Sequence, residues 1–139
     1  MKIYYAKAVY GEEEINAVTQ VLRESPYLLM GGAGVKLFEQ KVAQIFGKKY
    51  GVMVNSGSSA NLITISTLKE TVGLGEIIVP PLTWVSDIAA VIHCGFTPVF
   101  ADINVRTLGL SDKKIIDKIT PETKAVFLTH VLGFNALTH

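Results

Sequence analysis

The chain has 139 residues, 49% apolar and 18% charged, with 13 basic and 12 acidic side chains that leave a net charge of +1. That length suits one domain with a real core, and the even charge balance provides neither a nucleic-acid groove nor a basic membrane patch. No apolar run approaches the roughly 18–20 residues of a membrane helix, so the apolar excess is expected in the interior, or on surface that a partner or further segment covers.

Residues 12–24, EEEINAVTQVLRE, place Ile15, Val18 and Val21 or Leu22 on one helical face. Glu12, Glu13 and Glu14 fall in the first turn, where the helix dipole favours acids. SPYLLMGGAG reads as a loop broken by Pro26, Gly31, Gly32 and Gly34. Val35, Phe38, Val42, Ile45 and Phe46 predict a second helix over 35–46, closed by Gly47. The rhythm then changes. YGVMV (50–54) is an apolar run of strand length, SSANLITISTLKE (58–70) predicts a helix and EIIVP (76–80) a strand. WVSDIAAVIHC (84–94) predicts a helix ending at Gly95, and TPVFADI (97–103) a third strand. SDKKIIDKI (111–119) predicts a helix capped by Ser111, and KAVFLTH (124–130) a fourth strand.

Strands alternating with helices are the pattern of right-handed crossover units around a parallel sheet. Near-continuous apolar strands are expected where helices cover both faces. The expected fold class is therefore α/β, a mainly parallel sheet flanked by helices, with no repeat or linker. A single cysteine, Cys94, has no internal disulfide partner, and the start MKIYYAKAVYG has no apolar signal core. Both point to the cytoplasm.

NSGSS (55–59) stands where the first predicted strand passes into a helix, the side of such sheets where ligands gather. Gly57 is expected to turn the chain tightly and bring backbone close to a ligand. The amides of Ser58, Ser59 and Ala60 are expected to point out of the helix start unpaired. With the dipole and the serine hydroxyls they make a cup for a phosphate. A plain helix cap by Ser56 or Ser58 is the alternative; it accounts for one serine and leaves Asn55, Gly57 and the other serines unexplained. Other phosphate cups fit less well. A P-loop needs a lysine that is missing here, GGAG (31–34) lacks the preceding strand and spacing of a dinucleotide fold, and SGSSA is not an esterase elbow.

Three blocks carry a family likeness: FEQKVAQIFGKKYGVMVNSGSSANL, IIVPPLTWVSDIAAVIHCGFTPVFADI and TPETKAVFLTHVLG. In order and spacing they resemble the N-terminal part of the DegT/DnrJ/EryC1/StrS family, fold-type I pyridoxal-phosphate enzymes that are sugar aminotransferases and related dehydratases. The resemblance runs from about residue 10 to the end. It implies that residues 1–139 are the N-terminal part of the cofactor-binding large domain. It also implies that Gly57, Ser58 and Ser59 hold the phosphate of pyridoxal or pyridoxamine phosphate, and that Trp84 stacks on its pyridine ring, where a flat cationic heterocycle gains from a large π-face. Taken alone, Trp84 also suits a half-buried core position. His130, Gly133 and Ala136 fit the family's H-x-x-G-x-x-A pattern; at His130 a structural hydrogen bond and a chemical role both remain open. His93 and Cys94, in the last turn of a helix, suit capping or packing, Asp102 suits a turn, and no metal spacing occurs.

In this family the Asp that pairs with the pyridine nitrogen and the Schiff-base Lys, or the His that replaces it in dehydratases, lie downstream of the H-x-x-G strand. No lysine here occupies a matching position, so no catalytic residue is assigned, and the chain is expected to be the front of a larger enzyme or a shortened relative. The resemblance implies a nucleotide-linked keto-sugar substrate, glutamate as amino donor, and a homodimer in which SPYLLMGGAGV contacts substrate or neighbour. PLTWVS leans towards transfer and NSGSSANL towards 3-dehydration; a non-enzymatic phosphate-binding α/β module is the third reading. The polypeptide alone is expected to lack transamination activity and to bind cofactor weakly; a lasting Schiff-base absorption band, lost on mutating one of its lysines, would contradict this.

Overall fold

Among the described residues, side-chain caps start two of the five α-helices, glycines follow the ends of three, Ser111 precedes its helix without a side-chain cap bond, and long-range pairing decides which apolar runs become strands. The computed structural model describes residues 2–4, 6–25, 27 and 29–136; Pro26 and Leu28 of the predicted loop, and His139, lie outside the described residues. The chain forms two compact units, residues 1–53 and 54–139.

In the first unit, helix α1 spans Glu12–Glu24 as the pattern predicts. The Gly11 amide donates to Glu14 Oε2 at 2.6 Å, closing a capping box. The same hydrogen bond holds the Glu14 carboxyl below the usual range. Helix α2, Ala33–Ile45, begins two residues early, because Gly32 serves as its cap and Gly34 is accommodated in the first turn. It ends in a Schellman motif: Gly47, at φ +60°, donates to Gln44 O (3.0 Å) and Lys48 to Ala43 O (2.8 Å).

The run at 50–54 is not a strand. The Met53 amide donates to Glu39 Oε1 at 2.8 Å, and Gly51 passes so near α2 that a Cβ would stand 2.6 Å from the Glu39 carbonyl oxygen. Propensity supplies a pattern, but a strand exists only where a ladder partner takes its amides.

In the second unit, α3 (Gly57–Val72), β1 (Glu76–Val79), α4 (Val85–His93), β2 (Thr97–Phe100), α5 (Asp112–Ile116) and β3 (Thr123–Val126) follow one another, with a short 3₁₀ turn at Val131–Gly133. All strands are parallel, in the order β2–β1–β3. Glu76 pairs with Thr97 and Val79 with Phe100, whereas the register towards β3 slips between Glu76 and Ile77. The predicted strands at 97–103 and 124–130 stop at Phe100 and Val126. Past Phe100 the chain turns, Ile103 bridging back to Leu110.

The centre is β1, with Ile77 and Ile78 at 0% exposure. Ile77 and Val79 pack against α3 and α4 through Ile65, Ala90, Val91 and Phe96. Ile78 faces the other layer, with Ala101, Leu110 and Ile115 of α5. Alternation along one strand thus feeds two cores. Helix α4 ends as α2 does, Gly95 (φ +89°) donating to Ile92 O and Phe96 to Val91 O. The outer strands each have one neighbour. The amides of Thr97, at the start of β2, and of Ala101, just past its end, donate to the carbonyls of Gly75 and Val79, so alternation turns the nitrogen of Pro98 away from β1. The apolar excess is only partly interior, since Ile63, Phe100 and Phe134 are about half exposed.

At the entry to β1, the Gly75 carbonyl accepts from Thr97, and a Cβ on Gly75 would collide with the Glu122 carbonyl. Gly75→Ala is therefore expected to destabilise the fold by about 1–3 kcal/mol, read by equilibrium denaturation; an unchanged midpoint would refute the close approach.

Candidate functional site

The first turn of α3 carries the predicted cup. Ser56 is the cap, with extended backbone (φ −160°, ψ 160°), and its Oγ accepts from the Ser59 amide at 3.2 Å. Ala60 donates to Ser56 O at 3.1 Å, the first bond of the helix ladder. The expectation that the Ser58, Ser59 and Ala60 amides all stand unpaired is corrected, because the cap takes Ser59 and the first ladder bond takes Ala60. The amides without a partner among the described residues are those of Gly57 and Ser58, and both residues are exposed. Ser56 Oγ also donates to Ser59 Oγ at 3.1 Å, which leaves the Ser59 hydroxyl its own proton to donate.

The expected tight turn at Gly57 is corrected too. Its φ lies outside the left-handed range, and a Cβ there would meet no atom within 4 Å. Among the described residues neither backbone conformation nor packing calls for glycine at this position. Two free amides at the positive end of a 16-residue helix, flanked by two serine hydroxyls, fit an anionic phosphate.

Trp84 is the cap residue of α4 and is 68% exposed, at the carboxyl side of β1. Helices α3 and α4 lie side by side, with a groove of ≈ 240 Å³ between them that Ser58, Ser59, Ser86 and His93 help to line. A larger groove of ≈ 470 Å³ between α3 and β3 has no titratable group in its lining, which makes it a poor holder of charge.

A buried polar cluster beside these elements was missed from the sequence. Asp87, 7% exposed in the first turn of α4, accepts from Asn61 Nδ2 at 2.7 Å. Its other oxygen accepts from the Thr83 hydroxyl and, at 3.3 Å, from the Thr129 hydroxyl, while Thr83 and Thr129 are 2.9 Å apart. The only advance signal was an acid on the apolar stretch WVSDIAAVI, which a helix dipole alone would explain.

The remaining candidates make contacts within the fold. His130 Nδ1 accepts from the Ala136 amide at 3.0 Å, which places the proton of the neutral ring on Nε2. Ala136 is buried against Gly109, so the H-x-x-G-x-x-A pattern closes a loop here. Asp102 Oδ1 accepts from the Ile103 amide within a turn, Cys94 is a buried cap residue, and His93 ends α4. Among the described residues no three His, Cys, Asp or Glu side chains group as metal ligands, and no helix is long and apolar enough to cross a membrane.

The profile of the DegT/DnrJ/EryC1/StrS aminotransferase family matches residues 9–136. The spore coat polysaccharide biosynthesis protein SpsC of Bacillus subtilis is 40% identical over 93% of this chain and 32% of its own. The structure of E. coli GDP-4-keto-6-deoxy-D-mannose-3-dehydratase with bound hydrated pyridoxal phosphate superposes with a TM-score of 0.80 at 33% identity, covering 88% of this chain and 32% of that one. The aminotransferase from Psychrobacter cryohalolentis superposes with a TM-score of 0.81 at 28% identity, covering 91% and 32%. The chain spans about a third of the length of the curated relatives it matches. Ser56→Ala is expected to cost about 1 kcal/mol through loss of the cap, measured by denaturant titration, while freeing the Ser59 amide; no loss would mean that Ser56 does not cap α3.

Proposed function

Because this chain belongs to the DegT/DnrJ/EryC1/StrS aminotransferase family, we propose that it provides the phosphate- and ring-holding face of a pyridoxal-phosphate enzyme that aminates a nucleotide-linked keto-sugar, with glutamate as donor. The observation that carries the reading is the first turn of α3, where two free amides sit beside a glycine that the fold itself does not need.

In this reading the Gly57 and Ser58 amides and the Ser58 and Ser59 hydroxyls hold the phosphate. Trp84 offers an exposed indole face to the ring. When bound, the cofactor supplies the electron sink for the chemistry. The Ser56–Ser59 bonds fix the hydroxyl that faces the anion, so the donors are set before the ligand arrives. The same reading places the protein in the cytoplasm as a homodimer.

A second reading, sugar 3-dehydration with the same cofactor, draws on NSGSSANL and on the higher identity to the dehydratase structure (33%) than to the aminotransferase structure (28%). Incubating cofactor, glutamate and a nucleotide-linked keto-sugar with the enzyme whose cofactor site this chain would form separates the two: an amino-sugar product supports the first, a 3-deoxy-sugar the second, while residues 1–139 alone are expected to yield neither.

Trp84 is the single tryptophan, so pyridoxal phosphate is expected to quench its emission on binding. Gly57→Ala, whose Cβ would meet no atom within 4 Å, is expected to weaken that binding about tenfold, or ~1.4 kcal/mol, without lowering the melting temperature. Equal affinity for pyridoxal phosphate and inorganic phosphate would favour a phosphate-binding module without catalysis.

A further inference from the structure

We propose that Asp87 is a positioning residue for this cofactor site, the buried carboxylate that clamps the Gly57–Ser59 turn and Trp84 into one geometry; the proposal rests on the reading above. Its three partners come from three separate segments. Asn61 lies one helical turn beyond Gly57 on α3, Thr83 immediately precedes Trp84, and Thr129 follows β3. Asp87 therefore ties the start of α3 and the loop after β1 to the carboxyl end of β3.

The chemistry suits a clamp. An ionised carboxylate only accepts, so donors arriving from several directions all find lone pairs. Asn61 takes one oxygen, and the Thr83 and Thr129 hydroxyls converge on the other. Asp87 also stands in the first turn of α4, its own amide donating to Trp84 O at 3.0 Å, where the dipole favours negative charge.

A purely structural need does not explain this choice. Asp87 is the one charged side chain buried among the described residues, and all three partners are neutral. Burying a carboxylate without a cation is costly, and well-packed apolar side chains of similar volume commonly serve stability as well or better. Hydrogen bonds add direction, which apolar contact lacks. The elements so directed are those that carry the free amides and the exposed indole.

The test uses Asp87→Asn in the full chain, which keeps the shape but sets an NH₂ group against donors. Thr129→Val, which removes one donor of the three, is the milder variant should Asp87→Asn not fold. Ile65→Val, a core change on α3, is the control for lost stability alone. Three quantities are measured: acrylamide quenching of Trp84 without cofactor, hydrogen exchange of the Ala60 amide, and affinity for pyridoxal phosphate. Both polar variants are expected to change Trp84 quenching by more than Ile65→Val does, to raise Ala60 exchange at least twofold and to weaken cofactor binding, about tenfold for Asp87→Asn. Ile65→Val is expected to lower the melting temperature and change none of the three. If the polar variants lower melting yet leave Trp84 quenching and Ala60 exchange at the wild-type level, Asp87 is not a clamp. If the wild-type chain fails to bind pyridoxal phosphate, the cofactor reading fails, while the two cofactor-free measurements still decide the clamp.

Discussion

Strand β1 has water on neither face and a hydrogen-bonded neighbour on each side. Such a strand cannot shift by one residue without sending Ile78 into the layer built for Ile77 and Val79. Its carboxyl end is therefore a fixed point, and the loop to Trp84 departs from it. Helix α3 is held against the same strand through Ile65, so the candidate phosphate cup inherits its position from the core. The reactive-looking features are exposed, while what places them is buried.

At the start of α3 the cap, the helix ladder and any incoming anion would draw on the same donors. Each amide used by the cap is lost to an incoming anion, and Ser56 takes Ser59 while the ladder takes Ala60. The helix is left with fewer but better oriented donors, supplemented by hydroxyls. Serine suits this place because one side chain both accepts and donates.

The sequence made legible whatever depends on neighbours a few residues away. Helix α1, the glycine terminations at Gly47 and Gly95, and the βα alternation all follow from local capping and period. The run at 50–54 misled because β-forming residues state a preference, and only a partner across space turns it into a strand. Strand ends at Phe100 and Val126 were overrun for the same reason. In the candidate site, the positions of Gly57, Ser58, Ser59 and Trp84 at helix starts could be read directly. The Asp87 cluster could not, since Asn61 and Thr129 are 26 and 42 residues away along the chain.

The two border strands of the sheet carry residues whose placement has a bearing on solubility. Unsatisfied strand borders recruit other chains, and proteins blunt them with proline, lysine and irregular register. Pro98 removes a donor from one border at no cost to the ladder within. On the other, the register slip falls beside Lys124, whose side chain lies against Gly75 at the entry to β1. Among the described residues each outer strand thus departs from a regular ladder, one through a missing donor and the other through a slipped register.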